Sequence, residues 1–158
     1  MTTGHARNSV HPFLYKKQPY VASRTFVGMD PILAMNTFLL WLAALVSFVT
    51  FMVHTFIGGP RVAKPLLATT HLPVASKWLN YYCWHIATIL LLAMSVGFSY
   101  VALRPDRPEL AIFLFTLSAA LSALSAAVAL KGGINPLRFP STSLFAAIAA
   151  LGASALLS

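Results

Sequence analysis

At 158 residues, with 58% hydrophobic and only 9% charged side chains, the chain excludes an ordinary soluble domain, which carries about 25% charge. Its net charge of +8 reflects scarce acids, because Asp30, Asp106 and Glu109 are the only carboxylate residues; every Lys and Arg lies outside the apolar blocks except Lys77, in the protruding opening turns of the second. The bases suit anionic lipid headgroups, at about 1 kcal/mol per residue near the surface; no nucleic-acid module accompanies them, so nucleic acid is excluded as the partner.

Residues 1–30 lack the apolar core of a cleavable signal peptide, and the first spanning segment is expected to act as an uncleaved anchor. In this stretch His11, Phe13, Tyr15, Lys16, Lys17 and Tyr20 mix aromatics and bases without helical periodicity. It reads either as a tail touching headgroups or as an arm whose Lys16, Lys17 and Tyr20 grip a larger assembly.

Four apolar blocks follow, each matched to the roughly 20 residues that cross a hydrocarbon core of about 30 Å. The first is expected over 31–57. Asp30 caps it, Pro31 takes a position where its missing N–H costs nothing, and Gly58-Gly59-Pro60 ends it. The second is expected over 73–103; its opening turns protrude, and Trp78, Tyr81, Tyr82 and Trp84 mark an aromatic belt. A charged hinge leads to the third, over 109–130, where Asp106 and Glu109 read as a capping-box variant and Lys131-Gly132-Gly133 closes the helix. The fourth, over 141–158, is expected to be capped by Ser141 or Thr142.

The fold class is therefore an all-α membrane protein, an antiparallel four-transmembrane-helix bundle. Small residues recur at spacing four on the last two helices, as Ser118/Ser122/Ala126 and Ala146/Ala150/Ser154. In lipid such rows let backbones approach closely. They serve either to pack these helices on one another or to dock a partner. Six Lys/Arg residues fall on the N-terminal side of the bilayer and five on the other, which places both termini in the cytoplasm by a margin of one.

The candidate site is a pair of histidines, His54 near the end of the first span and His85 about three turns into the second. A histidine within a bilayer is costly and marks a functional site by default. Thr50 and Ser47 share a face with His54, and Thr88, Ser95 and Ser99 share one with His85; these stripes are expected to turn both imidazoles inward. Three readings stand. The pair holds a b-type haem between the helices, with Arg61 or Lys64 on its propionates. Alternatively His54 and His85, joined by His71 or Cys83, bind copper or zinc. Or the imidazoles tie the bundle together by hydrogen bonds. No carboxylate lies in any span, and no G-x-S-x-G turn, P-loop or dinucleotide fingerprint occurs. Hydrolases, ATPases and charge-driven pumps have nothing to work with.

The run His54-Thr55-Phe56-Ile57-Gly58-Gly59, then Pro65-Leu66-Leu67, then Tyr81-Tyr82-Cys83-Trp84-His85 resembles a group of small four-span bacterial inner-membrane proteins. In that group a first-helix histidine precedes Gly-Gly or Gly-Glu, Pro-Leu-Leu follows, and Trp-His opens the second helix. The resemblance covers about residues 40–100; it implies the four-span fold and a bacterial inner membrane, and no activity. His54, Gly58 and Gly59 also look like positions in four-span haem and copper membrane proteins, among them the copper-resistance membrane family and the membrane protoporphyrinogen oxidase. That likeness implies haem b or copper, although the tryptophan often found between histidine and glycines there is absent here. The role expected from the whole is non-enzymatic: an accessory or scaffold subunit of a larger respiratory or photosynthetic membrane complex, or else a haem or copper protein in electron transfer or cofactor handling.

Overall fold

The computed structural model describes residues 31–104 and 107–157. The N-terminal arm with Lys16, Lys17 and Tyr20, and the cap residues Asp30 and Asp106, lie outside the described residues. Among the described residues the elements are α1 (Pro31–Met52), a π-helical stretch (Val53–Ala63), α2 (Lys64–Ala68), α3 (Val74–Leu103), α4 (Pro108–Lys131), a 3-10 turn (Pro136–Arg138) and α5 (Pro140–Leu157). Four helical rods, Ala34–Ala68, Val74–Leu103, Pro108–Lys131 and Pro140–Leu157, are long and apolar enough to cross a membrane. A lipid interior leaves backbone groups no water to bond, so a chain this apolar closes its hydrogen bonds within helices. The chain is a multi-pass, all-α membrane protein.

The first rod departs from expectation. Gly58-Gly59-Pro60 does not end it; α1 runs through the π-helical stretch into α2, and 35 residues at 1.5 Å each reach roughly 50 Å. Two physical reasons account for this. In an α-helix the Pro60 ring would press on the carbonyl four residues back. The wider π turn, in which the Lys64 N–H donates to the Gly59 carbonyl five residues back, moves that carbonyl out of the way. Nor does either glycine enter the left-handed region, which Gly133 (φ +68°) occupies among the described residues. Gly133 belongs to the expected stop of α4. There the Ile134 N–H reaches the Ala129 carbonyl at 2.8 Å and the Gly133 N–H reaches that of Leu130 at 3.1 Å, the paired bonds of a Schellman cap.

Helix α1 lies between α3 and α5, α5 packs along α4, and α3 and α4 meet over only a short stretch although they are consecutive. The core is gathered where the middle of α1 meets the second half of α3 and the apposed parts of α4 and α5. Phe98, Met94, Ile148 and Val101 are the largest fully buried side chains, with Ala43 and Ala44 against them. Glycine and serine allow the close approaches. A Cβ on Gly152 would sit 3.4 Å from both the Phe98 ring and the Phe115 Cβ. Ser95 Oγ donates to the Ala44 carbonyl at 3.1 Å, joining α3 to α1. Ser47 and Thr50 are buried as expected, each donating to the carbonyl one turn back.

Helices α4 and α5 are joined by hydroxyls. Ser125 Oγ bonds Ser141 Oγ (2.7 Å) and Thr142 Oγ1 (2.9 Å), and Ser122 Oγ donates to the Thr142 carbonyl (3.0 Å). This corrects the expected cap: α5 opens at Pro140, which sets Ser141 and Thr142 inside the first turn with their hydroxyls toward α4. At the start of α4, Arg107 is the cap residue and Pro108 takes the first position. The two small-residue rows also part company. Ser118 is fully buried and Ser122 is engaged with α5, whereas Ala146 and Ala150 on α5 are exposed.

Candidate functional site

Past Thr50 and Leu91 the bundle opens. The π-helical stretch buries only Ala63, and two clefts flank it, with the indole of Trp84 forming a wall of each. Trp84 is held there by three contacts. His54 stacks on it, with ring centroids 3.9 Å apart and planes 16° from parallel. The His54 Nε2–H donates to the Trp84 carbonyl at 3.3 Å, an oxygen that also accepts from Thr88 Oγ1 at 3.0 Å. The edge of the indole rests on Gly58, where a Cβ would stand 2.7 Å from Cη2. The glycine expected to end the helix is instead bare so that a tryptophan can lie on the backbone.

The first cleft, about 280 Å³, lies among α1, the π-helical stretch, α3 and α5, and includes His54, Arg61, Leu91, Ser141, Leu144 and Phe145 in its walls. The second, about 330 Å³, lies between the first rod and α3 and is more polar, with Thr55, Lys64, Tyr81, His85 and Thr88. Within it Thr55 Oγ1 is buried without a hydrogen-bond partner. Each cleft thus holds one imidazole and one base: His54 with Arg61, His85 with Lys64.

Of the four candidate ligands, His54 and His85 open onto different clefts, and neither His71 nor Cys83 lines either one. His85 does not turn inward; it is exposed and meets the Tyr81 ring edge-on at 4.5 Å. His71 is exposed in the bend between α2 and α3, and Cys83 is exposed on α3. Among the described residues no three His, Cys, Asp or Glu side chains gather as a metal site requires. Haem and copper do not fit this arrangement as a pair-ligated group. A shared axial pair needs both imidazoles aimed into one space, and here the Nε2 of His54 is bonded to a carbonyl while an indole covers its ring.

The electrostatics of this end are one-signed. Arg61, Lys64, Lys77, Lys131 and Arg138 all flank it, and the connections 58–73 and 131–140 contain no Asp or Glu. Glu109, the carboxylate residue among those described, lies at the opposite end in the first turn of α4. The chemistry within reach is binding by cations, N–H donors and apolar walls. Reading the sequence missed Trp84 and Gly58 as partners of His54. The usable signal was that Gly58 stands four residues after His54, on the same helix face, and that a tryptophan immediately precedes His85.

A scan of protein-family models, a search of curated proteins and a search of solved structures each find no match to the chain.

Proposed function

We propose that the chain is a non-enzymatic accessory or scaffold subunit of a larger respiratory or photosynthetic complex in a bacterial inner membrane, with both termini cytoplasmic. On this reading it docks through the outer face of α5. The observation that carries it is the fate of the two small-residue rows: the one on α4 is turned to the bundle, while Ala146, Ala150 and Ser154 remain exposed on α5. Ser154 Oγ donates to the Ala150 carbonyl at 2.8 Å, so the face offers lipid no unsatisfied hydroxyl. In a bilayer, helices associate through close packing and not through hydrophobicity, and a smooth face of small residues favours a second helix over lipid tails. The arm with Lys16, Lys17 and Tyr20 supplies a second grip at the membrane surface.

The test is native electrophoresis of membranes solubilised in mild detergent. The wild type is expected to migrate in an assembly several times its own mass. Ala146→Leu with Ala150→Leu is expected to release it, and so is deletion of residues 1–28, with thermal stability unchanged in both. A wild type that runs alone, or variants that stay in the assembly, would remove this reading.

A further inference from the structure

We infer that the His54 cleft binds a single-chain amphiphile with an anionic head, the chain lying along Leu91, Leu144 and Phe145 and the head meeting Arg61 at the first turn of α5. The inference does not depend on the accessory role.

Four observations carry it. The walls are graded along the helices. Thr50 and Leu91, both buried, border the packed core, while Arg61, Pro140 and Ser141 lie at the end of the bundle. Polarity therefore rises from the inner to the outer end of one continuous cleft. Its volume, about 280 Å³, falls just below that of small-molecule sites, roughly 300–1,000 Å³. That volume suits one chain and not the two of a bilayer phospholipid. Among the described residues the charge at the outer end meets no carboxylate, since residues 58–73 and 131–140 contain none. A guanidinium is suited to a carboxylate or phosphate through paired N–H donors, and the first turn of the 18-residue α5 adds its positive pole to the same spot. The donors in the walls are already bonded, Thr50 to the Val46 carbonyl and His54 Nε2 to the Trp84 carbonyl deeper in the cleft, and Ser141 to Ser125 at its outer end. A chain passing them therefore strands no donor.

Trp84 lines the cleft, and replacing Trp41 and Trp78 by Phe, both exposed, leaves it as the only tryptophan. In phosphatidylcholine nanodiscs this full-length protein is titrated with dibromostearate, whose bromines quench indole fluorescence on contact. Saturable quenching is expected, reversed by unbrominated stearate or by a single-chain alkyl phosphate, the stronger competitor identifying the head. Arg61→Gln is expected to weaken the apparent Kd about ten-fold, the loss of one charge-assisted contact, and Leu144→Phe to abolish saturation by filling the cleft. Lys64→Gln, which alters the other cleft, is expected to leave the Kd unchanged. Quenching that rises without saturation, equal quenching by the methyl ester, displacement by diacyl phosphatidylglycerol, or equal losses in Lys64→Gln and Arg61→Gln would each overturn the inference.

Discussion

The two ends of the bundle are built on opposite principles. Where Leu40, Ala43 and Ala44 of α1 meet Met94, Phe98 and Val101 of α3, side chains close on one another, and the hydroxyls there are spent on backbone carbonyls. Where the same two rods continue past Thr50 and Leu91, the first changes to a π-helix, a tryptophan is interposed, and two clefts open on either side of it. Small residues serve both ends for different purposes. Gly152 lets helices touch; Gly58 lets an aromatic ring lie on a helix backbone. π-Helical segments recur at functional sites because they release the regular side-chain register. In this protein one rod supplies a rigid half and a receptive half.

This contrast can be broken by substitution, and the packed end has the most to lose. Phe98→Ala removes the largest fully buried side chain. It is expected to cost about 3–5 kcal/mol, read as a lower midpoint of denaturation in a detergent titration. Gly58→Ala forces its new methyl onto the Trp84 ring and is expected to cost about 1–3 kcal/mol, with a red-shifted tryptophan emission as the ring leaves its seat. Gly59→Ala is the informative companion: a Cβ there meets nothing within 4 Å. That variant is expected to be stabilised by about 0.5–1 kcal/mol, the ordinary penalty of glycine in a helix. Adjacent glycines with opposite responses would locate the indole contact to one residue. The histidines should divide in the same way. His54→Ala removes a stacked ring and a hydrogen bond and is expected to cost about 1–2 kcal/mol. His85→Ala, at an exposed position, should fall within about 0.5 kcal/mol of wild type.

The four spans were legible because apolar length and the punctuation at Pro73 and Gly132-Gly133 act locally. The inward hydroxyl stripe of Ser47, Thr50 and Ser95 followed from helical spacing. What stayed hidden depends on distant partners. Gly58-Gly59-Pro60 has the composition of a stop; the π turn that carries the chain past Pro60, and Trp84, 26 residues on, that lies on the bare Gly58, are not written in that tripeptide. Ser141 looked like a cap because its partner Ser125 belongs to another helix. The histidine pair is expected at a common depth, and His54 does bond the carbonyl of the residue before His85, yet level along the helices does not fix azimuth. A single intervening ring assigns His54 and His85 to different clefts, which no spacing along either helix reveals.

The account rests most heavily on the difference between the halves of the first rod, and amide hydrogen exchange in nanodiscs measures it directly. Amides of Val53–Ala63 are expected to exchange at least about ten-fold faster than those of Leu40–Thr50, since weaker π-helical bonds and sparse packing lower the cost of local opening. Equal protection along the whole of Ala34–Ala68 would contradict the account, and the rod would then be one uniform helix with no receptive end.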